Sequence, residues 1–252
     1  TFKNFFISLF PFLVVFTSTL YAPSDSDMGW HLKYGEYFFK HFTLLRENTF
    51  STQMPGYPWV NSSWATDLVT YAAFHQFGFF GISILGALVI TATFYFFSKA
   101  ARLTFWEKAI LFPVILYLEG PFFEVSFRGQ LITLLAISIL YFTLSQFEKG
   151  KKRVLWFIVP LFTLWSNFHG QFIFGLGLFF LWTVFYLFQK WKSTTIQKER
   201  LQVYTETNQS FFSIYFEGKY LFFILFASFL ATLIHPFGIG IYQESLRHFN
   251  NP

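Results

Sequence analysis

Apolar residues run almost unbroken from Phe5 to Ala22 and stop at Pro23-Ser24-Asp25. Further apolar runs occupy residues 80–98, 103–118, 131–147, 154–165, 172–188 and 220–234. Several approach the roughly 20 residues that an α-helix needs to cross about 30 Å of hydrocarbon. The pattern predicts an all-α, polytopic helical membrane protein with about seven transmembrane helices. The run at 103–118 is the weakest of them, because Glu107 and Lys108 stand near its start. Residues 23–79 contain no span. From Met28 to Leu45, the apolar positions Trp30, Leu32, Tyr34, Tyr37, Phe38, Phe42 and Leu45 interleave with Lys33, Glu36 and Lys40. That spacing approximates a helical stripe and predicts an amphipathic interfacial helix. Residues 46–63 form a turn-rich connector around Pro55-Gly56-Tyr57-Pro58-Trp59. Residues 64–77, bearing Asp67 and His75, read as a second interfacial helix, too short and too polar for a span.

Composition agrees. Of 252 residues, 54% are hydrophobic, 12% are charged and 42 are Phe, whereas soluble domains average about 25% charged residues. The absence of Cys excludes disulfides, thiolate metal sites and Cys nucleophiles. A net charge of +5 invites a nucleic-acid reading, but basic residues flanking membrane helices explain it better, and no nucleic-acid partner is expected. The first run follows Lys3 as a signal peptide would. Its length and the poor cleavage site Tyr21-Ala22-Pro23-Ser24 favour a retained helix instead.

The charges sort the connections into two sets. One holds Lys99, Arg102, Lys108, Lys149, Lys151, Lys152, Arg153, Lys190, Lys192, Lys198 and Arg200. The other holds Asp25, Asp27, Glu119, Glu124, Arg128, Asn167, His169 and His235. Seven spans threaded from Lys3 put the first set on one side and the second on the other. With Lys3 and Lys219 included, 13 of the 18 Lys and Arg residues fall on the basic side. The positive-inside rule makes that side cytoplasmic. The expected location is therefore a cell (inner) membrane, crossed several times, with a cytoplasmic N-terminus. All six His residues fall on or near the outer side.

Acids, imidazoles, an Arg and amides facing one compartment suit a polar site at the membrane surface. Arg128, Gln130, Asn167 and His169 stand at helix ends, where polar groups are costly unless they face protein or water. Each has a plainer reading. Asp25 or Asp27 can cap the following helix, Arg128 can snorkel to lipid headgroups, and His169 can satisfy a helix-end carbonyl. Trp30, Trp59 and Trp64 fit an interfacial aromatic belt. A divalent metal, Mg²⁺ or Mn²⁺, on Asp25, Asp27 and His31 is a further alternative.

The motifs in order resemble the C-type (GT-C) membrane glycosyltransferases. That superfamily includes the protein O-mannosyltransferases and the lipid A aminoarabinose transferases, and the likeness is greater still to uncharacterised bacterial relatives of these. The resemblance rests on Asp25-x-Asp27-Met28-Gly29-Trp30-His31-Leu32…Gly35, on Pro58-Trp59-Val60…Trp64, and on Arg128-Gly129-Gln130. It continues through Asn167-Phe168-His169-Gly170 and His235-Pro236-Phe237-Gly238. Three positions depart from the pattern: Ser63 replaces an acid, Gly129 a Pro and His235 an Asn.

The resemblance implies transfer of a sugar from a polyprenyl-phosphate donor to a lipid, glycan or protein acceptor at the outer face of the bilayer. Asp27 or Asp25 would be the base. Arg128 would hold the phosphate, and His169, His31, Asn167 and Gln130 would orient substrate or handle protons. No cofactor is required, although the acids leave room for a divalent metal, Mg²⁺ or Mn²⁺. The chain is expected to be one transmembrane domain over residues 1–252 and a fragment of a longer protein. Residues 5–22 would form the first span, 23–79 an outer loop and 80–252 the remaining spans. Two other classes stay open. One is a non-catalytic membrane scaffold on the same fold. The other is a transporter, disfavoured because no charged residue is read well inside a span and no internal repeat is evident.

Overall fold

The computed structural model describes residues 2–50, 52, 55–124, 126–201 and 204–250, with side chains for 6–50, 52, 55–124, 126–196 and 212–247. The side chains of Lys3, Lys198, Arg200 and His248, which enter the charge reading, lie outside the described residues. The helices are α1 (Phe2–Ser18), α2 (Met28–His41), α3 (Trp64–Ala100), α4 (Phe105–Leu118), α5 (Gly120–Phe123), α6 (Gly129–Glu148), α7 (Ile158–Phe168), α8 (Phe172–Leu201), α9 (Tyr204–Thr232) and α10 (Gly240–Asn250). A 3-10 helix, Lys152–Phe157, leads into α7. Among the described residues the only β pairing is an isolated bridge between Glu47 and Pro58.

Four helices are long and apolar enough to cross a membrane: Trp64–Ala100, Gly129–Glu148, Phe172–Ile196 and Phe212–Thr232. These make the chain a multi-pass membrane protein. The other three apolar runs are also helical, but shorter. The apolar part of α1 is Phe6–Ser18, α4 has 14 residues around Pro113, and α7 has 11 because the 3-10 helix takes up the start of its run. Glu107, which weakens the sequence reading of the 103–118 run, completes a capping box with Thr104 at the start of α4. It satisfies helix-end N–H groups instead of entering the helix interior.

Residues 64–77 and 80–98, expected as separate elements, are joined in α3 across a sharp break at Gly78 (φ 61, ψ −154). A side chain is strongly disfavoured in that conformation, so glycine is what lets the two halves take different directions. α3 packs chiefly on α2 and α6, while α7 and α8 pack on α9. Packing is tightest where glycines replace side chains. A Cβ on Gly175 would lie 2.2 Å from the Trp165 ring, and one on Gly35 would lie 2.3 Å from Tyr71 Cβ. The largest core cluster unites α6 to α9 around Phe162, Trp165, Phe172, Phe179 and Leu221. Outside it, Phe174, Phe185, Phe222, Phe223 and Phe226 are exposed. So much exposed aromatic side chain is a liability in water and is the ordinary exterior of a helix in lipid.

Candidate functional site

Pro23 and the acids after it end the first apolar run, and the connector is then pinned from both sides. Ser83 Oγ donates to the Tyr21 carbonyl at 2.5 Å, and Ser24 Oγ donates to the Glu124 carbonyl at 3.2 Å. The Asp25 Oδ1 oxygen accepts from the Asp27 N–H at 2.9 Å, turning the chain into α2. The Asp27 carboxylate makes no capping hydrogen bond, although Asp27 occupies the N-cap position. It turns to Arg128 instead.

Arg128 is delivered by a deliberate backbone approach. A Cβ on Gly86 would lie 2.9 Å from the Phe127 nitrogen, so the missing side chain lets residues 126–127 lie directly on α3. Ser126, buried and at φ 67, donates from Oγ to the Ile82 carbonyl at 3.3 Å. Arg128 follows in extended conformation as the N-cap residue of α6. A cation at a helix N-terminus is electrostatically misplaced, and two carboxylates compensate it. Arg128 Nε is 3.0 Å from Asp25 Oδ2, and Nη2 donates to Asp27 Oδ2 at 3.1 Å.

The two acids differ. The Asp25 side chain is 1% exposed and that of Asp27 is 55% exposed. Asp25 Oδ2, although close to Arg128, has no aligned hydrogen-bond partner. It also lies 3.9 Å from His31 Nε2.

Behind His31 stands a residue that the sequence pattern did not single out for the site. His31 Nδ1 is 2.5 Å from Asp67 Oδ1, and Asn61 Nδ2 donates to Asp67 Oδ2 at 2.6 Å. Gly35 permits this. It lies one turn beyond His31 on the same face of α2, and its missing side chain lets α2 touch the Asp67 carbonyl. Burial lowers the His31 pKa, but the Asp67 hydrogen bond and the charges of Asp67 and Asp25 outweigh it and hold the imidazole above its ordinary value. An acid in the first turn of a helix reads as a complement to the helix dipole. That ordinary explanation hides Asp67. The remaining signal is that its neighbours Ala65, Thr66 and Thr70 form a buried stripe on which an acid is out of place.

His169 lies on the other flank of Arg128. Its Cδ2 would be 2.5 Å from a Cβ on Gly129, so the glycine found where the related motif has Pro makes room for the ring. The Trp165 indole N–H donates to Thr133 Oγ1 at 3.0 Å, and Thr133 Oγ1 is 2.8 Å from His169 Nδ1. The Thr133 hydroxyl thus bridges the indole and the imidazole. Burial first, then the charges of Arg128 and His31, push the His169 pKa down to about 4. The ring is therefore neutral at pH 7. Neither Thr133 nor Trp165 was legible as a site residue, since both read as ordinary helix core.

The other expected residues divide. Asn167 is fully engaged in structure: Oδ1 accepts from Trp64 Nε1 at 2.9 Å, and Nδ2 donates to the Thr163 and Ile234 carbonyls at 2.7 and 2.8 Å. It joins the ends of α3, α7 and α9. Gln130, in the first turn of α6, has no side-chain hydrogen-bond partner among the described residues and does not join the cluster. His235 is buried, and burial lowers its pKa to about 4; its Nδ1 accepts from the Phe237 N–H at 3.2 Å. Trp30 and Trp59 meet edge to face at 5.9 Å over Tyr34, forming an aromatic cluster that roofs α2. Among the described residues, no group of three or more His, Cys, Asp or Glu side chains is placed to hold a metal ion. The Arg128 guanidinium contacts both Asp25 and Asp27.

The cluster can thus do three things. It presents one open carboxylate, one guanidinium able to exchange an acid for another anion, and a neutral imidazole beside it. No family model, curated protein or solved structure matches the chain.

Proposed function

We propose that this chain is a membrane glycosyltransferase of the C-type class, moving a sugar from a polyprenyl-phosphate carrier to an acceptor hydroxyl at the outer face of a cell membrane. The observation that carries this reading is the meeting of Asp25 and Asp27 with Arg128, 101 residues beyond Asp27, at the end of the bundle away from the lysine-rich connections. That end is taken as the outer one by the positive-inside rule. In this reading all seven apolar helices enter the membrane, the shorter α1, α4 and α7 completing the bundle formed by the four long ones.

Asp27 is the base, because its carboxylate is open to solvent while that of Asp25 is enclosed. The donor phosphate takes the Arg128 N–H groups that Asp27 now holds, the guanidinium fork being suited to phosphate oxygens. The freed Asp27 removes the acceptor proton as the acceptor oxygen bonds to the anomeric carbon. The bond from that carbon to the phosphate oxygen breaks, and the electron pair leaves with the polyprenyl phosphate, stabilised by Arg128. Asp25 keeps Arg128 in place throughout. An apolar groove of about 450 Å³ between α3, α4 and α6, walled by Phe94, Phe97 and Phe123, offers room for an isoprenoid tail. The scheme uses no metal.

The test is sugar transfer in membranes supplied with labelled polyprenyl-phosphate sugars. Asp27→Asn is expected to lower transfer by at least about 100-fold, the scale of general-base catalysis, with membrane expression unchanged. Full transfer by Asp27→Asn would remove Asp27 from the chemistry. Labelled sugar uptake into sealed vesicles that needs no lipid-phosphate donor would replace the transferase with a transporter.

A further inference from the structure

A second groove, of about 580 Å³, runs between α8 and α10 on the His169 side of the cluster. Its long wall is Phe174, Leu178 and Leu181, all exposed and all in the part of α8 with the composition of a membrane span. From Gln171 to Leu181 this wall descends about 15 Å at 1.5 Å per helical residue. In a bilayer such a slot is filled by hydrocarbon, because no water is available there to occupy it.

Its rim differs in chemistry from the Arg128 cluster. Ser62, Gln171, Glu244 and Ser245 line it together with His169, and no lining residue is Lys or Arg. Arg247, one turn beyond, is paired with Glu244 at 3.4 Å and does not line the groove. Hydroxyls, an amide, a neutral imidazole and one carboxylate can both donate to and accept from a polyol. A phosphate head at this rim would instead find no lining Lys or Arg to bind it, Arg247 being engaged by Glu244 outside the lining. His169 belongs to both places: its ring lines the groove and lies against Gly129, next to Arg128.

We propose that the α8–α10 groove binds a membrane lipid with an uncharged polyhydroxyl head, and that this lipid is the acceptor whose hydroxyl meets the Asp27–Arg128 cluster. The second clause rests on the transferase reading; the first does not. Gly177 makes the site testable, because it lines the groove and a Cβ there meets nothing within 4 Å. A large side chain at this position therefore starts from open space and extends into the slot.

The full chain is reconstituted in nanodiscs with a diazirine-tailed monoglycosyl diacylglycerol, or with a diazirine-tailed phosphatidylglycerol of the same acyl length. Photolabelling is then mapped to peptides. The neutral probe is expected to label α8 and α10 at least tenfold more than the anionic one. Gly177→Trp is expected to remove that labelling at an unchanged melting temperature, and Glu244→Lys to shift it toward phosphatidylglycerol. Equal labelling by both probes, or labelling undiminished in Gly177→Trp, overturns the site. So does a groove found closed to both probes by another segment of protein. Sugar transfer undiminished in Gly177→Trp overturns the acceptor assignment and leaves the transferase standing. Groove labelling with no transfer to any acceptor does the reverse, removing the transferase and keeping the lipid site.

Discussion

Two ionic clusters stand at opposite ends of α6, a 20-residue helix that separates them by about 30 Å, and they are built to different ends. At the lysine-rich end, Glu217 is bound on both oxygens. Lys152 Nζ is 3.2 Å from Oε1, and Lys190 Nζ and the Tyr186 hydroxyl reach Oε2. Glu217 lies within the apolar stretch Phe212–Thr232, which begins before the run read from residue 220, and its two lysines compensate its charge. This is a closed staple joining α8, α9 and the 3-10 helix.

At the other end, three carboxylates face one guanidinium and one imidazole. Asp25 Oδ2 lacks an aligned partner and Asp27 stands half open. Saturated pairing fastens helices, whereas incomplete pairing leaves groups available to a ligand. The contrast is a physical criterion for telling a staple from a site in a protein rich in both charges and lipid-facing aromatics.

Arg128→Ala should produce the largest effect. It strands the enclosed Asp25 carboxylate, and breaking such a pair costs about 3–5 kcal/mol. A double-mutant cycle with Asp25→Asn should recover a large part of that loss in detergent melts; no recovery would mean that the two side chains are not coupled. Gly35→Leu comes next, because the new side chain meets Tyr71 and the Asp67 carbonyl. Overpacking of this kind costs about 1–3 kcal/mol. It should also separate His31 from Asp67, seen as a fall in the His31 pKa by NMR. Glu217→Gln should be milder, about 1 kcal/mol, since Lys152 is exposed and water can take over its charge. Sugar transfer should be unaffected by it. Transfer lost as fully as in Asp27→Asn would erase the distinction between staple and site.

A separate effect is on pH dependence, where the histidines have opposite signs. His169 and His235 are held neutral, with folded pKa values of about 4 against an ordinary 6.5. Their contribution is complete above pH 6.5 and is lost as pH falls toward about 4. His31 has a raised pKa, so its contribution is complete below pH 6.5 and is lost as pH rises through its folded value. Melting temperature should therefore decline on both sides of neutrality. His169→Gln should flatten the acid limb alone.

Much of this was legible along the chain, for reasons that can be named. The apolar runs fall on helices because lipid demands internal hydrogen bonding of the backbone, and Asp25, Asp27 and Arg128 stand out because charge at the lip of an apolar run needs an explanation. The amphipathic stripe from Met28 likewise appears as α2. The sequence reading gave Asp27 and Asn167 roles without knowing their partners. Asp67, Asn61, Thr133 and Trp165 stayed hidden because each has an adequate local explanation, as helix-dipole acid, turn residue or core.

By itself the amino-acid order determined the class of protein, the helical periods and which charges gather in which connections, since these follow from local hydropathy and spacing. Only the tertiary structure decided which distant groups touch. Contact between His31 and Asp67, 36 residues apart, depends on the missing side chain of Gly35, and Arg128 reaches Asp25 because Gly86 lets residues 126–127 lie on α3. Close approach of backbones is a property of two surfaces together, and neither segment carries it alone.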